Sequence, residues 1–359
     1  MIDRTWNRRA FIGGVATVAA AALAGQRAGA AQAVDGEADL AAIKAYVVDQ
    51  AKQMKEGTVA LRQTAQAYYD LANAAAFDYA ALWSERQGQL TEILANAKAQ
   101  WLTASTHYEL NEGLIAGVPS LSYYDVWIDA GPSAGEDPAG ALDWTLELPD
   151  GTKLEKPGNF FHNLTEPAIW GTDEAFVGLR VDLNDDEESG LGESLPEANL
   201  FLGAAQGLDE ATAEMQQAID QWQPTLEDAF AALVTMIPTM SEYFEQWKNS
   251  AYVAGEASTE AAFVATSRLF DVNGIIHGLD LTYDEIGVTV ETVDASLHKL
   301  IETGFDDLVG FVEDLYAQEQ AGTRFAAEEA ELYGSEAQER ATRLVGRVSQ
   351  AVALLGLQV

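Results

Sequence analysis

The sequence predicts an all-α protein of two antiparallel helical bundles, joined through an irregular loop region that carries one small β-hairpin. Three observations carry this. Residues 39–113 are alanine-rich and free of proline, with apolar residues at three- and four-residue steps. Helix-period patterning returns from residue 197 to residue 355. Between these stretches, residues 117–160 concentrate Gly117, Pro119, Gly131, Pro132, Gly135, Pro138 and Gly140, which no regular helix accommodates.

The first element is expected to be a leader. Asn7-Arg8-Arg9 precedes a small and apolar run from Ile12 to Ala24, and Ala31-Gln32-Ala33 supplies a small-x-small cleavage site. This order predicts a twin-arginine signal peptide over 1–33 and export of a folded chain to the periplasm, cell envelope or exterior. The run is too short for a permanent membrane anchor, and no later stretch is apolar for long enough to span a bilayer.

Leu61, Tyr68, Leu71, Leu82, Leu90, Ile93, Leu94 and Trp101 mark the core faces of two long helices, 37–75 and 78–115, with a turn in 73–78. Leu146 to Leu154 alternates around Asp150-Gly151, a hairpin signature. A helix is expected over 164–182, then an acidic break, then helices over 197–221, 224–253, 257–273, 284–319 and 323–355. The boundaries place one bundle, with its loop and hairpin, in 34–196 and the other in 197–359.

Composition excludes several functions. With no cysteine there is no disulfide, thiolate metal site or cysteine nucleophile. The formal charge is −37. Residues 1–33 hold four arginines and one aspartate, so residues 34–359 carry 16 basic and 56 acidic side chains, a balance of −40. Such a surface repels nucleic acid and anionic lipid and attracts cations. Acidic, lysine-poor composition also fits a salt-adapted surface, so charge alone does not argue for a metal site.

Three groups of residues carry candidate metal chemistry. His162 and Glu166 stand four apart beside Pro167, and imidazole with carboxylate suits iron, manganese or zinc. Glu112 shares a helical stripe with Tyr108 and Ile115, where a carboxylate needs a base or a metal. Glu109 is expected to face water. Asp125 and Asp129 add oxygen donors in an aromatic loop with Tyr123, Tyr124 and Trp127. His277, flanked by Gly274 and Gly278, suggests close backbone approach at a bend and is a further candidate ligand. His298 reads as structural. The stretch Asp182–Glu193 spaces oxygens like a calcium loop but has Glu187 where the turn requires glycine, so it is set aside. No Gly-x-Ser-x-Gly, His-Glu-x-x-His or phosphate-binding glycine loop occurs.

Ala97-Lys98-Ala99-Gln100-Trp101 with Tyr108-Glu109-Leu110-Asn111-Glu112, and Glu166-Pro167-Ala168-Ile169-Trp170, resemble segments of imelysin-like proteins of the EfeO and EfeM type, periplasmic iron-uptake components. The resemblance implies a helical fold of two bundle-like halves with a metal site between helices. It implies Glu112, His162 and Glu166 as ligands, followed by Asp129. The chain has His-x-x-x-Glu where the family signature is His-x-x-Glu.

The expectation is an extracytoplasmic binding protein that captures iron, with zinc or manganese as alternatives, and passes it to a membrane permease without catalysis. Two other classes stay open: a metallopeptidase using the same cluster, and a polysaccharide-binding protein using Tyr123, Tyr124, Trp127 and Trp144.

Overall fold

A computed structural model describes residues 38–183, 190–260 and 262–359. The expected signal peptide, and residues 184–189 of the calcium-like loop, lie outside the described residues. The fold is mainly α, with helices packed as bundles and two small antiparallel strand pairs.

Helices α1 (Leu40–Ala74) and α2 (Tyr79–Gly117) form the long antiparallel pair that the periodicity predicts. Each starts on an aspartate that accepts from an orphan backbone N–H: Asp39 from Ala42 at 2.8 Å, and Asp78 from Ala81 at 3.0 Å. The turn between them has no glycine because Ala76 and Phe77 adopt the left-handed conformation, at φ 52° and 60°. Phe77 packs edge-on against Tyr69, with ring centroids 5.8 Å apart. Tertiary packing here overrides the usual turn chemistry.

The second half of α2 is buried on nearly every side. An all-round buried helix belongs at the centre of a fold. It packs on α1 and, from the C-terminal part of the chain, on α6 (Leu226–Met236) and α8 (Arg268–Val293). A short helix α3 (Ser122–Asp125) runs into a π-helical turn, Val126–Ala130. The hairpin follows as β1 (Thr145–Glu147) and β2 (Lys153–Glu155), with Leu146 opposite Leu154 and Gly151 at φ 86°.

The helix expected over 164–182 is much shorter. A π turn, Phe161–Thr165, leads into α4 (Glu166–Trp170), which stops at left-handed Gly171. The chain continues into β3 (Val177–Arg180), paired with β4 (Ser194–Pro196). Periodicity in 164–182 combined a short buried helix with a strand, two patterns that overlap over few residues.

Helix α5 (Ala198–Gln221) forms over the expected range, 197–221, and packs on α1. The stretch 224–253 divides at Pro238 into α6 and α7 (Met240–Asn249). Residues 257–273 are not one helix: an irregular strap over 262–267 precedes α8, which runs unbroken past Gly274 and Gly278. These glycines therefore do not bend the chain. They let α8 lie against α2, since a Cβ on Gly278 would stand 2.6 Å from the Leu110 carbonyl oxygen, and one on Gly274 would stand 2.9 Å from Glu109 Cβ. Gly278→Ala is expected to cost about 1–3 kcal/mol by forcing the helices apart, read by chemical denaturation. The true break comes at Asp294, whose carboxylate accepts from Ser296 and Leu297 and starts α9 (Ala295–Gln320). Helix α10 (Ala327–Leu355) completes the bundle against α7 and α9.

Candidate metal centre

The two π turns face each other beside the buried half of α2. A π turn takes one residue more to close than an α turn, and such turns recur at functional sites. Val126–Ala130 closes with Gly131 N–H on the Val126 carbonyl at 2.9 Å, and Phe161–Thr165 with Thr165 N–H on Phe160 at 2.9 Å. Asn159 ties the two together. Its Nδ2 donates to the Gly131 carbonyl at 3.0 Å and its Oδ1 accepts from His162 N–H at 2.7 Å. Trp101 on α2 donates from Nε1 to Thr165 Oγ1 at 2.8 Å, and its ring packs edge-on to Phe161 and Trp170.

These contacts place Asp129 and His162 opposite α2. His162 Nδ1 lies 2.9 Å from Glu166 Oε2, and its Nε2 lies 3.2 Å from Asp129 Oδ1 without the alignment of a hydrogen bond. Glu109, Glu112 and Asp129 bring carboxylate oxygens within 4.8 Å of one another. All three side chains are buried, so the expectation that Glu109 faces water is corrected. Close packing of α8 over α2 at Gly274 closes that face of the helix.

Glu166 is already engaged. Its Oε1 accepts from Val264 and Ala265 N–H at 2.8 Å each, and its Oε2 from Phe263 N–H at 3.1 Å as well as facing His162. Three successive amides of the strap thus clasp one carboxylate. Phe263 is held left-handed, at φ 56°, with its ring 4.3 Å from His162. Glu166→Ala is expected to leave those amides unmet, costing about 2–3 kcal/mol and raising hydrogen exchange at residues 263–265.

Two residues join the cluster from α8 that sequence reasoning missed, Arg268 and Asp271. Arg268 Nη1 donates to Asp271 Oδ2 at 2.9 Å and its Nε to Gln246 Oε1 at 2.8 Å. Its guanidinium lies between the rings of Tyr243 and Phe263, at 4.3 and 4.1 Å. Tyr243 in turn donates to Glu112 Oε1 at 2.7 Å, and Tyr108 to half-buried Asp125 at 2.7 Å. The available signal was an Arg–Asp pair three apart in an otherwise apolar run, Arg268-Leu269-Phe270-Asp271.

The remaining candidates lie elsewhere. His277 sits on α8 with Nε2 3.0 Å from Glu313 Oε1 on α9. His298 faces the Tyr283 hydroxyl at 3.0 Å. Trp127 and Trp144 pack on each other and on Phe160, with Tyr123 the exposed member of the group.

Burial pushes Glu109 well above the usual carboxylate range, and the negative charges of Asp271, Glu112 and Asp129 push it further. Burial and Asp129 also raise Glu112, against the pull of Arg268. Asp271 is pushed up to about 7, by burial first, with Arg268 opposing. Burial alone would lower His162, but Asp129 and Glu166 outweigh it and lift it to about 10. A site that strains to ionise its carboxylates while lacking hydrogen-bond partners for them is electrostatically incomplete.

The family model for imelysin, a family labelled peptidase M75, matches residues 161–355. The chain belongs to the imelysin family. The match begins on the π turn that carries His162 and extends through α8 to α10, while Glu109, Glu112 and Asp129 come from chain outside it. Among curated proteins no match is found. The imelysin assignment suggests metal involvement, and the buried acidic triad fits it. His162 lies in the π turn Phe161–Thr165 and meets Glu166 at 2.9 Å. Among the described residues no helix is long and apolar enough to cross a membrane.

Proposed function

We propose that this imelysin is an extracytoplasmic binding protein that captures a metal ion, iron foremost, for uptake across the membrane. The observation that supports this reading is a set of six buried donor atoms without a hydrogen-bond partner. They are both oxygens of Glu109, Glu112 Oε2, Asp129 Oδ1, Asp271 Oδ1 and His162 Nε2. Orphaned buried polar atoms are costly, and here they converge from four separate parts of the chain. Mixed carboxylate and imidazole donors suit iron, manganese and zinc.

In this reading Glu109, Glu112, Asp129 and His162 Nε2 hold the ion. Glu166 orients the imidazole through Nδ1, and the strap amides hold Glu166, the arrangement by which outer partners fix a metal-bound histidine. Tyr243 positions Glu112, and Asp271 lends charge. Nothing here requires bond-making; function is capture and release. The side chains of the cluster are at most 7% exposed, which suits a bound ion. Export by a twin-arginine leader and transfer to a permease belong to the same proposal.

The test is to titrate metal-free protein with iron, manganese and zinc, and to incubate loaded protein with a peptide library. Saturation near one ion per chain without cleavage is expected. Cleavage lost in Glu112→Ala would establish the peptidase reading instead, and absence of saturable binding would remove both.

A further inference from the structure

We infer that the cluster selects by charge for a trivalent over a divalent cation. This rests on the metal-capture reading above and concerns which ion that site takes. The buried charges divide into those already answered by the protein and those left over. Glu166 is answered by three backbone amides and the Nδ1 side of His162. Asp271 is answered by Arg268 at 2.9 Å, and that guanidinium, held by Gln246 and two aromatic rings, also pulls on Glu112 but makes its direct ion pair with Asp271.

Glu109, Glu112 and Asp129 remain. They are 1%, 1% and 3% exposed, with oxygens within 4.8 Å of one another, and the fixed cation that reaches them, Arg268, is paired with Asp271. Tyr243 gives Glu112 a hydrogen bond but no charge. The further donor, His162 Nε2, is neutral when it binds a metal. The inner set therefore carries a formal charge of −3 in a region shielded from water. One trivalent ion cancels it. A divalent ion leaves one negative charge uncancelled in a region shielded from water. A trivalent ion gives up more hydration on entry, and hard carboxylate oxygens are the donors that best replace that water.

The experiment compares ions of like size and unlike charge on the full chain: Tb³⁺ against Ca²⁺, and Ga³⁺ against Zn²⁺ delivered at buffered free concentrations. Trp101, whose ring lies 6.2 Å from His162, provides sensitised Tb³⁺ emission as a local readout. The trivalent member of each pair is expected to bind at least about a hundredfold more tightly. Glu109→Gln, which removes one charge at constant shape, should cut that ratio by about tenfold or more. Asp129→Asn repeats the test should Glu109→Gln fold poorly. A divalent ion binding as tightly as its trivalent partner, or a ratio unmoved by both substitutions, overturns the inference while leaving metal capture standing. Affinity for every ion unmoved by both substitutions overturns the capture reading itself.

Discussion

Glu109→Gln is expected to weaken metal binding by about a hundredfold or more while making the metal-free protein more stable by about 1–3 kcal/mol. Both oxygens of Glu109 are buried without a hydrogen-bond partner, and its nearest charges are other carboxylates. Glutamine removes a carboxyl whose ionisation burial and its neighbours oppose, at almost no cost in volume. A residue whose loss stabilises the fold is kept for something other than the fold. The same logic fixes a pH dependence. The folded state holds the protons of Glu109 and Glu112 above the ordinary carboxylate value of 4.5. From there upward the native protein binds more protons than the unfolded chain, so their contribution makes stability fall as pH rises. In chelator-stripped protein that decline should be measurable by thermal unfolding from about pH 4.5 upward, and shallower in Glu109→Gln. Stability indifferent to the substitution would mean that Glu109 is compensated after all.

Arg268→Met should do the reverse, lowering stability by about 3–5 kcal/mol. The change removes the fixed positive charge of the α8 side, leaves Asp271 buried and unpaired, and takes the guanidinium from between Tyr243 and Phe263. Adding Asp271→Asn to Arg268→Met should recover much of the loss, since the two side chains form one interaction and their effects do not add. Denaturant midpoints of the single and double variants measure this directly. Additive losses would mean that Arg268 acts through the aromatic rings alone.

Much of the fold was legible because long amphipathic helices write their period into many residues. The predicted ranges 37–75 and 78–115 differ by a few residues from Leu40–Ala74 and Tyr79–Gly117, and the hairpin around Asp150-Gly151 lies where its turn chemistry puts it. Failures came where several short elements share one stretch. The residues from His162 to Arg180 combine a π turn, a one-turn helix and a strand, none long enough to register its own period. Gly274 and Gly278 read as a bend because glycine has two uses, and the sequence does not say which one a given glycine serves.

The candidate site was partly legible for similar reasons. His162 and Glu166 are local in sequence, and Asp129 and Glu112 stand out beside aromatic and apolar neighbours. Glu109 did not, because whether a carboxylate faces water depends on what covers it. The cover is α8, more than 150 positions away. Arg268 and Asp271 were obscured by composition. In a chain with 57 acidic side chains, one more Arg–Asp pair carries little signal until burial singles it out.

Elemental analysis of the natively purified chain beside Glu109→Gln and His162→Ala bears most directly on whether the buried carboxylates and His162 share an ion. One iron or comparable ion per wild-type chain, lost from both folded variants, is the expected result. The same metal content in all three would show that the cluster holds nothing.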